Sequence, residues 1–109
     1  MALLMSEKIF VTGATGFLGS SLVKKLCGLK LDITVLIHKN PDHPFLKGLK
    51  IKRKKGDIRD YNTLLKVMKG CSYVYHLAAI TSGDPKLKDE IFSVNVSGTE
   101  NVMKACLKL

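Results

Sequence analysis

Three glycines, Gly13, Gly16 and Gly19, stand three residues apart in the stretch Lys8-Ile9-Phe10-Val11-Thr12-Gly13-Ala14-Thr15-Gly16-Phe17-Leu18-Gly19. A short run of β-formers precedes them. Apolar residues at helical spacing, Leu18, Leu22, Val23 and Leu26, follow at once. Strand, glycine turn and helix in that order are the setting in which a glycine pattern binds phosphate. Gly13 would let the chain leave the strand at a positive φ, where a Cβ clashes. Gly16 would admit a pyrophosphate close to the backbone, and Gly19 would let the helix lie tight against the sheet. Free N–H groups at the helix start, together with the helix dipole, then hold the anion. Ala14, Thr15, Phe17 and Leu18 complete this candidate loop. The plain alternative is a tight turn before an ordinary helix.

Other candidate groups stand at strand ends. His38 and Lys39 follow the apolar run Ile33–Ile37, where a basic group suits a ribose 2′-phosphate and an acid suits free ribose hydroxyls. No acid stands there, and Asp42 lies beyond Pro41. Two solvated loop residues are the bland alternative. Asp57 closes the third strand at the carboxyl edge of the sheet, where ligands bind in this architecture; turn chemistry after Gly56 is its other reading. His76 invites the role of general base. A lone histidine ending a strand, with no carboxylate partner evident, is more simply a hydrogen-bonded core group. Thr81 and Ser82 could reach a ligand or merely satisfy loop backbone.

The elements that must position these groups alternate regularly. Gly28 marks a helix stop, with Lys24, Lys25 and Lys30 near the negative dipole end. Ile33–Ile37 is a β-branched run without alternation, as in a strand buried on both faces. A proline-bearing loop then leads to a third strand over 49–55. Asp60 caps a helix carrying Leu64, Leu65, Val67 and Met68, which ends at Gly70. A fourth strand spans 72–77, and a last helix runs from about Leu87 onward. Four strands alternating with helices mean parallel βαβ units with right-handed crossovers. No repeat, low-complexity tract or linker divides the chain.

Composition sets further bounds. The sequence has 109 residues, 46% of them hydrophobic and 25% charged, which suits one globular domain. No apolar run is long enough to span a membrane, and Met1-Ala2-Leu3-Leu4-Met5 is too short for a signal peptide. Cys27, Cys71 and Cys106 are far apart and lack C-x-x-C spacing, which reads as reduced thiols in a cytoplasmic protein with no metal site. The formal charge of +9 raises nucleic acid as a partner. Its densest run, Lys50-Ile51-Lys52-Arg53-Lys54-Lys55, has no interleaved aromatic to stack a base and reads better as a protected edge strand.

Thr12-Gly13-Ala14-Thr15-Gly16-Phe17-Leu18-Gly19 resembles the signature of extended short-chain dehydrogenases/reductases, the group of NAD-dependent epimerases/dehydratases and dihydroflavonol-type reductases. Gly56-Asp57-Ile58 is similar to that family's adenine-pocket element. By the resemblance, Asp57 accepts from the adenine amino group and the Ile58 backbone contacts the ring. His76-Leu77-Ala78-Ala79 is similar to the segment after the family's fourth strand, which implies that Leu77, Ala78, Ala79 and, beyond them, Thr81 pass close to the cofactor. Asn95-Val96-Ser97-Gly98-Thr99-Glu100-Asn101 matches the family's Asn-Val-x-Gly-Thr-x-Asn element. There Asn95 would bond backbone near the fourth strand, and Gly98 would permit close approach to the sheet. A second stripe, Phe92, Val96, Met103 and Leu107, is too apolar for solvent. It implies either further fold or a second subunit, hence a homo-oligomer.

The resemblance covers residues 8 to 107 and implies a Rossmann-type α/β fold: a parallel sheet with helices on both faces and four strands in order 3-2-1-4. It implies an NAD(P)-binding, amino-terminal portion of an oxidoreductase or epimerase/dehydratase, with NADP as cofactor and NAD as the alternative. Hydride transfer on a sugar nucleotide or a small ketone or alcohol is the implied chemistry. The family's reaction centre is a Tyr-x-x-x-Lys pair. Tyr61, Tyr73 and Tyr75 are followed four residues later by Leu65, Leu77 and Ala79, so no catalytic residue is assigned in 1–109 and no turnover is expected of it alone. A non-catalytic nucleotide-sensing or interaction module of the same fold is the alternative function.

Overall fold

The computed structural model describes residues 7–109, so the apolar stretch Met1–Met5 lies outside the described residues. Strand β1 (Lys8–Thr12) runs into helix α1 (Phe17–Gly28), then β2 (Asp32–Ile37), β3 (Lys52–Lys55), α2 (Tyr61–Val67) and β4 (Tyr73–His76). The chain finishes as one helical stretch: α3 (Lys88–Phe92), a π-helical segment (Ser93–Gly98) and α4 (Thr99–Lys108). All three strand pairings are parallel and the order is β3-β2-β1-β4. The expected Rossmann-type order 3-2-1-4 is the order found.

Alternation along the strands builds two cores. Ile9, Val11, Ile33, Val35 and Ile37 face α1, where Val23 and Leu26 meet them. Phe10 and Leu36 face the other way, onto Leu64 and Met68 from the α2 region and Val102 and Ala105 of α4. Both faces of β1 and β2 are therefore covered, which explains why these runs are continuously apolar. Burying each such side chain contributes about 1.5–3 kcal/mol.

Element bounds shift where side chains compete with the ladder. β3 begins at Lys52 rather than near Leu49, because Arg53 gathers the preceding backbone carbonyls: its guanidinium donates to Leu46 O at 2.6 Å, and more weakly to Leu49 O and Ile51 O. The basic run is the edge strand that its lysines suggest, paired only with β2 among the described strands, and Lys52, Lys54 and Lys55 are exposed. Leu18 leaves the expected apolar stripe of α1 and is 66% exposed. Past α1, the positive φ falls at Lys30 (58°) and not at Gly28. Asp60 caps α2 as expected, its carboxylate accepting from Thr63 N at 3.2 Å.

In the last helix, Gly98 meets the Ile58 side chain and not the sheet: a Cβ there would stand 2.5 Å from Ile58 Cδ1. Phe92, Val96, Met103 and Leu107 are all exposed, as is Tyr73 of the edge strand β4. No described helix is long and apolar enough to cross a membrane.

Candidate functional site

Parallel strands all end on one side, so β1, β2, β3 and β4 deliver their following loops to a common edge. A cleft of about 370 Å³ opens there. Gly13, Thr15 and Gly16 form one wall, and Leu77, Ala78 and Ala79 form another. His38 and Lys39 enter from the end of β2, with Asp57 and Ile58 from the end of β3. These ten expected residues are brought together from four separate stretches of chain. Five others lie outside the lining: Ala14 is buried in the α1 core, Gly19 is buried in α1, Phe17 and Leu18 are exposed on the first turn, and Thr81 is exposed on the loop.

The glycines differ in what they permit. Gly13 has φ 76°, and a Cβ on it would stand 2.5 Å from the Leu77 carbonyl carbon. Gly19 lies so close to the turn that a Cβ would sit 1.9 Å from Gly13 O. At Gly16 the φ is −76°, and the nearest atom to an added Cβ is Gly13 O at 3.4 Å. Two glycines thus hold the turn shut, while the middle one keeps the cleft open. Gly16 caps α1 without any side-chain bond, and the first turn carries no acid. The first N–H groups of this helix lack intrahelical partners and keep their positive end uncompensated.

Thr12 ties the two walls together. Its Oγ1 accepts from Leu77 N and Ala78 N, each at 3.1 Å. With those lone pairs used, its hydroxyl proton goes to His76 Nδ1 at 2.6 Å, which makes the ring an Nε2–H tautomer that donates to Thr99 Oγ1 at 2.9 Å. Burial holds the His76 pKa below its ordinary value. The imidazole is a neutral link between β1, β4 and α4 and does not line the cleft. The hydrogen-bonded core role, weighed against general base in the sequence, is the one found. Asn95 holds the next stretch in place, accepting from Ile80 N at 2.8 Å and donating to Ile80 O at 2.9 Å. Its carrier is the π-helical segment, a distortion that recurs at functional sites.

Asp57 is the centre of charge. The Arg59 guanidinium bonds to it directly and holds its carboxyl below the usual range, helped by the Arg59 backbone N–H and by the nearby charges. His38 Nε2 lies 3.1 Å from Asp57 Oδ2. Glu90 and Val94 of the last helical stretch, with Ile80, also line the cleft, and sequence reasoning missed all three. Arg59 was missed too, although an Asp bonded to the N–H two residues on is a turn signal readable from sequence. The cysteines are unpaired, and burial raises the pKa of Cys27 and Cys71, which leaves them poor nucleophiles.

The family model described as the NAD dependent epimerase/dehydratase family matches residues 9–109. Sterol demethylase protein B of Methylococcus capsulatus is 37% identical over 94 residues, which is 86% of this chain and 29% of that protein. The 2-alkyl-3-oxoalkanoate reductase of Shewanella oneidensis is 32% identical over 102 residues, 92% of this chain and 25% of that protein. Among solved structures, the Bordetella bronchiseptica enzyme WbmG in complex with NAD and UDP superposes with a TM-score of 0.82 at 27% identity. The match covers 94% of this chain and 34% of WbmG. The chain thus spans about a quarter to a third of the length of the relatives it matches.

Proposed function

This chain belongs to the NAD dependent epimerase/dehydratase family, and we propose that its cleft binds the adenosine and pyrophosphate of a nicotinamide dinucleotide, NADP(H) in preference to NAD(H). One observation carries the reading. Gly13 and Gly19 admit no side chain, whereas Gly16 has room for one and yet has none, beneath a helix start with unmet N–H groups. Such a cradle is open to an anion and to little else.

Backbone from Ala14 to Leu18 receives the pyrophosphate, with Gly13 and Gly19 holding its shape. Asp57 and Ile58 form the base pocket. His38 and Lys39 stand where a ribose 2′-phosphate arrives, with no acid at the strand end to oppose it. Leu77, Ala78, Ala79 and Thr81 carry backbone toward the nicotinamide ribose. The bound cofactor supplies hydride exchange at a carbonyl or carbinol carbon; these residues bind and orient it. Residues 1–109 are then the amino-terminal, nucleotide-binding portion of an oxidoreductase or epimerase/dehydratase. Its substrate is a sugar nucleotide or a small ketone or alcohol, and WbmG, solved with NAD and UDP, gives the comparison. A cytoplasmic setting suits three unpaired thiols, and the exposed stripe on the last helix suits a homo-oligomer.

Calorimetric titration of the protein with NADP, NAD and 5′-AMP tests this. Saturable binding with NADP tightest is the expected result. A folded protein that binds none of the three overturns the reading.

A further inference from the structure

Asp57 has no acceptor site to spare. The Arg59 backbone N–H donates to Oδ1 at 2.9 Å, and Arg59 Nε is shared between Oδ1 and Oδ2 at 3.0 Å each. Arg59 Nη2 donates to Oδ2, and His38 Nε2 stands against Oδ2 at 3.1 Å as a close electrostatic contact. An ionised carboxylate offers about four lone-pair sites; the four Arg59 contacts, with the imidazole against Oδ2, leave none open. A nucleobase amino group arriving at Asp57 finds every site taken, and one donor has to leave.

The donors are unequal. Arg59 grips with main chain and side chain together, reaches Ser93 Oγ at 3.4 Å, and feels the charge of Glu90. Breaking that grip disrupts several contacts at once. His38 makes a single electrostatic contact from a side chain that is 54% exposed. It follows the end of β2 beside Lys39, and both residues line the cleft.

We propose that His38 is a displaceable occupant of the base subsite, and that the released ring then favours the cofactor that carries a 2′-phosphate. Base binding expels the imidazole from Asp57 whichever dinucleotide arrives. A ribose 2′-phosphate gives the expelled ring a new anionic partner; a bare ribose gives it none. The cost of expulsion falls on both cofactors alike, so discrimination comes from the new contact of the released ring with the 2′-phosphate, to which Lys39 adds attraction. The inference rests on the reading that Asp57 receives the adenine amino group.

The test is equilibrium titration of wild type, His38→Ala and Lys39→Ala with two probes, 5′-AMP and adenosine 2′,5′-bisphosphate. His38→Ala should tighten 5′-AMP roughly three- to tenfold, the worth of one polar contact no longer to be displaced. It should weaken the bisphosphate relative to 5′-AMP by roughly five- to thirtyfold. Lys39→Ala should weaken the bisphosphate more than it weakens 5′-AMP. In wild type, the His38 Nε2 resonance in ¹⁵N NMR should move on adding 5′-AMP, a readout that needs no variant. A wild type that binds both probes while His38→Ala leaves 5′-AMP unchanged or weaker overturns the displacement alone. A static Nε2 resonance at saturating 5′-AMP does the same. A wild type that binds neither probe overturns the nucleotide-binding reading, and this inference with it.

Discussion

Gly16→Val separates binding from folding, because the three glycines of the turn face different surroundings. At Gly16 the backbone is extended, with φ −76° and ψ 170°, and an added Cβ meets only Gly13 O at 3.4 Å within 4 Å. The Cβ of a valine meets only ordinary contact there in the unliganded protein. Its main stability cost is a poorer N-cap, on the order of 1 kcal/mol, or a fall of about 4–8 °C in Tm for a domain of this size. The ligand fares worse. A branched side chain stands where the pyrophosphate would sit and severs its contacts with the α1 N–H groups. Two charge-assisted bonds at about 1.5–3 kcal/mol each make a loss of about 3–6 kcal/mol. That corresponds to roughly a hundred- to ten-thousandfold in affinity.

The matched controls are Gly13→Ala and Gly19→Ala. The first forces φ 76° on an L-residue against Leu77 backbone, and the second drives a Cβ to within 1.9 Å of Gly13 O. Both should lose the fold before the ligand matters. The assay pairs thermal melts with calorimetric titration of NADP. A folded Gly16→Val that binds NADP as tightly as wild type refutes the phosphate loop. A Gly19→Ala that melts like wild type refutes the packing argument.

Three further outcomes are expected. Lys39→Asp should erase or reverse a preference for NADP(H) worth roughly five- to thirtyfold; equal wild-type affinities for the two cofactors would remove its basis. His76 has a folded pKa held down by burial, so its contribution is complete above the ordinary imidazole value of about 6.5 and lost as pH falls through the lower folded value. Melts across mildly acid pH should show stability dropping in that window, and His76→Gln should flatten the drop. The exposed stripe Phe92, Val96, Met103 and Leu107 should make residues 1–109 self-associate in sedimentation, and Val96→Lys with Met103→Lys should restore a monomer. A wild type that sediments as a monodisperse monomer contradicts it.

What could be read from the sequence is what near neighbours in the chain decide. The apolar runs of β1 and β2, the glycine turn and the Asp60 cap all rest on local chemistry: a β-branched run, a φ that only glycine accepts easily, a carboxylate three residues before an N–H; the strand order comes from the family resemblance. Ten of the fifteen expected site residues meet in one cleft because every parallel strand ends on the same side. Contacts across the fold were settled elsewhere. His38 reaches Asp57 only because β2 and β3 lie side by side. Thr12 and Thr99 enclose His76 because β1 pairs with β4 and α4 packs behind them. Glu90 and Val94 reach the cleft because the last helical stretch passes over its mouth. Gly98 looks like a glycine that would face the sheet, yet its small size receives Ile58 from a loop forty residues earlier. Periodicity assigns a residue to a face of its own element; only packing decides what that face meets.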